Sequence, residues 1–335
     1  MKKFICLIFI LILTGTAVFA FGNKDQPKGK ITIYTSMYEE VINSIQQDLQ
    51  KQFPKLLIEF VYGGTGRIQY MITTERAAGR LGCDILMVAE PAYSLELKEN
   101  DILHPYISSE ATSLSFDYCP DGFWYPVRIN NMVLAYNPAR TPLNTIPNSF
   151  FDFANDTRVR GAISMRNPNV SGTSLATLSA LSDKYGYQYF NALGRQNLQI
   201  EYGTAEALRK LESGEYRVIM ILEESILQIR QAGSALQVIY PTDGTVMIPS
   251  TIMIINNKWN ANRNIKAAQA VTDWFLSEEG QNAIVSGWMH SVRKDFPRIP
   301  FDSIPTEEIR ANSIPVNWEN SYNKREEILI RFEGR

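Results

Sequence analysis

The run Lys30-Ile31-Thr32-Ile33-Tyr34-Thr35-Ser36-Met37-Tyr38-Glu39-Glu40 decides how the chain is read. Ile31, Ile33 and Tyr34 make residues 30–35 an extended apolar segment. Ser36, with Glu39 three residues on, has the spacing of a capping box, so the strand is expected to pass directly into a helix. That helix runs to about Phe53, where Pro54 stops it. The same unit then repeats. Residues 56–62 read as a second strand, and Gly63-Gly64-Thr65-Gly66 turns the chain into a helix ending near Gly79. Residues 84–89 are nearly continuous in apolar side chains, as a strand buried on both faces should be. A helix follows over about 92–100. Strand alternating with helix predicts an α/β fold, a parallel sheet with helices on both faces. Ligands of such sheets bind beyond the C-terminal ends of the strands, here residues 36–38, 63–66 and 90–92.

Outward from that first unit, residues 123–137 read as an extended segment, and a second α/β unit occupies about 137–240. It holds a strand at 161–165, a helix at 204–213 and a strand at 216–222. Between them lies Asn167-Pro168-Asn169-Val170-Ser171-Gly172-Thr173-Ser174, opening a helix at 175–184. Ser171, Gly172 and Thr173 fall in its first turn, where unpaired N–H groups and the helix dipole favour negative charge. This is a seat for a phosphate, phosphonate or carboxylate; an ordinary capped helix start is the plain alternative. A further extended run spans 248–255, helices follow at 265–274 and 279–286, and 325–332 reads as a closing amphipathic helix.

Lys2 and Lys3 precede an apolar run at 4–13, and Val18-Phe19-Ala20 offers a cleavage site after Ala20. That is a secretory signal peptide over 1–20, too short to span a bilayer, and it predicts export to the periplasm. Cys6 lies inside the run, so no lipid anchor is expected. With 33 Lys+Arg against 35 Asp+Glu scattered along 335 residues, nothing points to nucleic acid or an anionic membrane as partner. Beyond the signal, Cys83 and Cys119 carry no spacing signature, and no disulfide is expected between them.

Several short runs, in this order, carry a resemblance: Ile31-Thr32-Ile33-Tyr34-Thr35-Ser36, Gly63-Gly64-Thr65-Gly66, Cys83-Asp84-Ile85-Leu86, Val133-Leu134-Ala135-Tyr136-Asn137, residues 168–173, Gly214-Glu215-Tyr216, Tyr240-Pro241-Thr242-Asp243-Gly244-Thr245 and the tail 318–332. Together they resemble the extracytoplasmic solute-binding proteins of ABC importers, in the group that binds ferric ion, thiamine, phosphonates and sugar phosphates. The resemblance implies two α/β lobes joined by two extended crossovers and closing on a ligand. The first lobe would take 21–125 and 247–295. The second would take 126–246 and 296–335, with the C-terminal helix packed back on it. It implies a monomer that hands a small molecule to a permease driven by an ATPase.

Ferric binders of this group carry adjacent tyrosines after the strand that follows a Gly-Glu motif. Here Glu223-Glu224-Ser225 stand there instead, which leaves iron as the alternative and a small organic anion as the main expectation. Its contacts are expected from Ser36, Thr65 and Gly66 on one side and Ser171, Gly172 and Thr173 on the other. Arg128, on a crossover, suits two-pronged contact with a phosphate or carboxylate. Glu90 and Glu224 suit hydroxyls or an amine, Tyr38 falls near a ligand position of the resembled proteins, and Asp243 sits in a turn beside the second unit. No metal ligand set and no cofactor are expected. His104 and His290 lie far apart without metal-ligand spacing, and no Gly-x-Ser-x-Gly, His-Glu-x-x-His or phosphate-binding Lys loop appears, so the chain does not read as an enzyme.

Overall fold

The computed structural model describes residues 26–335; the expected signal peptide and its cleavage site lie outside the described residues. Nine strands form one sheet: β1 (Gly29–Thr35), β2 (Leu56–Tyr62), β3 (Ile85–Ala89), β4 (Tyr125–Tyr136), β5 (Ile163–Arg166), β6 (Gln199–Glu201), β7 (Val218–Leu222), β8 (Gln237–Ile239) and β9 (Val246–Ile254). They run in the order β2-β1-β3-β9-β4-β7-β5-β6, with β8 on β4. The two ends are parallel, β1 pairing β2 and β3, and β5 pairing β6 and β7. The middle is not. β9 is antiparallel to β3 and to β4, and β4 is antiparallel to β7. The sheet is therefore mixed, because the two longest strands carry the chain between the halves in opposite directions.

Those strands are the expected crossovers. Tyr125, Val127 and Ile129 of β4 lie in one core with Ile31, Ile45 and Phe275, while Met132, Leu134 and Tyr136 lie in another with Phe150, Leu175 and Phe190. The inward-facing set changes from odd to even numbers at Asn130 and Asn131, which are buried between the cores. Two cores on one pair of crossing strands make a two-lobed molecule. All five residues of β3 are buried, each Val or Leu of such a strand contributing about 1.5–3 kcal/mol.

Several expectations change. The Ser36 capping box does not form: the helix begins at Glu39, its N-cap is Tyr38, and no side chain caps it. The Ser36 N–H instead donates to the Met87 carbonyl at 3.0 Å, so the chain stays extended past the end of β1. The helix Gly172–Tyr185 starts three residues earlier than its apolar pattern suggests, with Ser171 as N-cap accepting the Ser174 N–H. Residues 223–225, directly after β7, form the first turn of the helix Glu223–Gln231. The tail is shared rather than held by the second lobe. Ile309 packs in the first core and Arg310 donates to the Ser115 carbonyl, while Ile314, Ile328 and Phe332 pack in the second. Cys83 and Cys119 are both buried free thiols. Among the described residues no helix is long and apolar enough to cross a membrane.

Candidate functional site

The C-terminal ends of β1, β2 and β3 face those of β5 and β7 across the crossing strands. Between them lies a cavity of about 30 Å³. That is room for one or two water-sized groups in this closed arrangement. Ser36, Tyr38 and Thr65 line it from the first lobe; Ser171, Gly172, Thr173 and Glu224 line it from the second, with Arg128 from β4. Three further polar side chains of the lining escaped the sequence reading: Tyr62, Asn130 and Arg166. Tyr62 and Arg166 are the last residues of β2 and β5, so the rule that ligands lie beyond strand ends would have found them. Asn130 had no such signal.

Two helices point their N-termini into the cavity. Gly64 is the N-cap of Thr65–Ala77 and Ser171 that of Gly172–Tyr185. The first two N–H groups of the latter have no intrahelical acceptor. The third helix start, at Glu39, carries Glu39 and Glu40 in its first turn, which already balance its dipole. The lobes meet closely here. A Cβ on Gly172 would stand 2.4 Å from the Ala89 carbonyl oxygen, and one on Gly66 would stand 2.5 Å from that of Asn169. The Gly66 N–H donates to the Val170 carbonyl at 3.4 Å, closing the same seam. Gly66 therefore sits on the seam rather than in the cavity wall. Thr65 donates its hydroxyl to the Ala89 carbonyl, so its contribution to the cavity is backbone and methyl.

Arg128 is the largest fully buried side chain, 2% exposed. Its guanidinium donates to Met289 Sδ at 2.9 Å and to Ser36 Oγ at 3.4 Å, and its Nε has no acceptor. No carboxylate among the described residues lies within ion-pair distance of it. Burial lowers its pKa, opposed by the charge of Glu224. Arg166 adds a second guanidinium, also with an unpaired Nε. Against these stands Glu224, which accepts from Asn130 Nδ2 at 2.6 Å. Burial, opposed by Arg128, pushes its carboxyl up to about 7. The cavity wall thus carries two guanidinium groups against one carboxyl whose ionisation burial opposes.

The neighbouring Glu223 points the other way. It accepts from Asn131 Nδ2 at 2.9 Å and pairs with His290 Nε2 at 3.1 Å, with Tyr240 and Ser303 hydroxyls also donating to it. Burial raises its pKa, but these partners outweigh burial and hold it below the ordinary carboxylate range. His290 is thus a buried structural partner at the crossover. Two expected ligand residues are elsewhere. Glu90, 1% exposed, is bound to Arg325 at 2.8 Å behind the helix start. Asp243 accepts the Phe150 and Phe151 N–H groups and the Tyr185 hydroxyl, so its carboxylate is used up capping a helix in the second lobe.

Two lobes hinged on paired strands, with a polar cleft at the strand ends, define a binding protein that closes on a solute. The chain belongs to the bacterial extracellular solute-binding proteins, whose family model matches residues 83–324. Its fold is that of the periplasmic binding proteins of ABC importers. It is similar to iron-bound HitA from Pseudomonas aeruginosa, at 19% identity and TM-score 0.79 over 92% of this chain and 99% of that one. It is similar to AfuA from Actinobacillus pleuropneumoniae with fructose-6-phosphate bound, at 18% identity and TM-score 0.78 over 92% and 98%. It is also similar to the substrate-binding protein of an ABC transporter from Agrobacterium tumefaciens, at 16% identity and TM-score 0.80 over 93% and 95%. No curated protein matches the chain.

Proposed function

We propose that this protein is the solute-binding component of an ABC importer and that it captures a small organic anion, phosphorylated or phosphonate-bearing, between its lobes. The observation that carries this reading is Arg128, a guanidinium buried at the cleft without an ion-pair partner among the described residues. A buried charge costs several kcal/mol unless it is paired, and an anionic solute supplies the missing partner. Arg166 and the start of the helix Gly172–Tyr185 add positive potential to the same cavity. Ser36, Tyr38, Ser171, Gly172 and Thr173 would contact the anion, and Glu224 a hydroxyl or amine on the rest of the solute. The lobes we propose are, among the described residues, 26–125 with 247–295, and 126–246 with the tail from about Ile314 onward. The protein works as an exported monomer that delivers solute to a permease, and it turns nothing over.

Iron fits this wall poorly, since Arg128 and Arg166 would repel a ferric ion, although the phenols of Tyr38 and Tyr62 are suitable donors. A thermal-shift screen over sugar phosphates, phosphonates, carboxylates, thiamine and ferric salts tests the proposal. Ligand at about a hundred times its dissociation constant stabilises the native state by roughly 2.7 kcal/mol. Phosphate and phosphonate esters should raise the melting point. A shift produced only by ferric salts, with a visible phenolate band lost in Tyr38→Phe, would establish iron instead.

A further inference from the structure

Behind the helix start at Gly172, outside the cavity wall, lies a charge that works against an anion. Glu90 Oε2 would stand 3.1 Å from a Cβ on Gly172. The residue is 1% exposed and its φ is 141°, a backbone setting that L side chains rarely adopt. It joins β3 to the helix Pro91–Glu99. A bare carboxylate there would itself take up the positive end of the helix dipole and repel any anion seated on it.

The C-terminal tail answers it. Arg325 donates Nη1 to Glu90 Oε1 at 2.8 Å and Nη2 to Gln69 Oε1 at 2.9 Å, and Gln69 Nε2 donates to Glu90 Oε2 at 3.3 Å. Three residues from three segments close one ring. The same tail helix, Arg325–Glu333, reaches the anion-facing loop, where Asn169 Nδ2 donates to Glu333 Oε1 at 3.0 Å. The tail thus grips the seat from both lobes.

We propose that Arg325 is a positioning and neutralising residue for the solute site: it cancels the Glu90 carboxylate at the helix start, so that the seat stays attractive to an anion when the lobes close. This rests on the anion reading above. Burial pushes the Glu90 carboxyl up, and Arg325 and Gln69 hold it down. Glu96, on the helix Pro91–Glu99, adds a further upward push. Without Arg325 the carboxyl would take a proton at a higher pH than in the native protein. Loss of Arg325 should then matter most in alkaline solution, where Glu90 is ionised, and least in acid.

The test measures dissociation constants for glucose 6-phosphate, 2-aminoethylphosphonate and inorganic sulfate by calorimetry between about pH 5 and 8.5. Each variant is compared with wild type at the same pH, which removes the titration of Glu224 and of the phosphate itself; sulfate does not titrate. Arg325→Met should weaken anion binding about tenfold or more at the alkaline end and clearly less at the acid end. Glu90→Gln with Arg325→Met should restore most of the affinity and flatten the pH profile. Arg331→Met, which removes an arginine of the same helix paired only with Glu327, should bind as wild type does. If Arg325→Met binds normally, or if the double variant stays as weak as the single one, the tail is a mechanical clasp and the proposal is wrong. If wild type binds none of the probes, the anion reading itself falls.

Discussion

Glu223 and Glu224 are adjacent, equally buried and opposite in behaviour, because consecutive side chains here face different partners. Glu224 faces the cavity, and its folded pKa of about 7 lies above the ordinary carboxylate value. The native state therefore binds the extra proton, and stability falls as pH rises from about 4.5 to 7. Glu224→Gln keeps an acceptor for Asn130 and removes this cost. The variant should melt above wild type at about pH 8, with the difference gone near pH 4. Glu223 has the reverse sign: its folded pKa is depressed, so its contribution is present above the unfolded value and is lost as pH falls through the folded one. Glu223→Gln should cost about 3 kcal/mol at neutral pH, less in acid, read by urea unfolding at several pH values. Arg128 permits a sharper test. Arg128→Met removes a buried charge that lacks an ion pair, so the unliganded protein should melt at or above the wild-type temperature. Anion affinity should drop by about 2–5 kcal/mol. A variant that unfolds, or that keeps its affinity, would remove Arg128 from the centre of the site.

At the scale of single elements, the helix Gly172–Tyr185 has two requirements at its start. It must approach the other lobe's backbone, and it must keep its first N–H groups open. Gly172→Ala puts a methyl 2.4 Å from the Ala89 carbonyl oxygen, which neither backbone can relieve without the lobes parting. The variant should fold, since an open molecule has room for the methyl, but should bind solute weakly. Thr173→Asp tests the second requirement. An acidic residue in a first turn suits the dipole by about 0.3–1 kcal/mol, so stability should hold or rise. Solute affinity should fall tenfold or more, because the new carboxylate competes for the same potential. Circular dichroism and calorimetry separate the two effects; normal binding by Thr173→Asp would move the anion away from this helix.

For the whole molecule, a cavity of about 30 Å³ is too small for a sugar phosphate or phosphonate, so the lobes must part for entry. β4 and β9 pass between the two cores, and the buried Asn130 and Asn131 of β4 hold Glu224 and Glu223 at the point where that strand changes lobes. Small-angle scattering should show the unliganded protein more extended than the protein saturated with its anion. Identical curves in both states would mean that the unliganded molecule is already closed. Export is tested separately: N-terminal sequencing of the secreted form should begin at Phe21.

Periodicity alone gave the strand–helix alternation of residues 30–100, the helix Thr204–Ser213, the extended runs that form β4 and β9, and the closing helix, because each is a local pattern of apolar spacing and breakers; that the two extended runs cross between lobes came from the resemblance. It also placed Ser171, Gly172 and Thr173 in a first turn, since a cap is a property of neighbours in sequence. Tertiary structure decided what those residues meet. Ser36 lost its cap because pairing with β3 kept the backbone extended. Asp243 went to a helix start in the second lobe, and Glu90 to Arg325 across 235 residues of chain. Asn130, Asn131 and His290 had no local signal, because burial of a polar side chain depends on a partner that folding brings from far along the chain. The sequence carries the elements and the chemistry available to the cleft. Only the packing of two lobes on one pair of strands decides which charges face the solute and which are spent on each other.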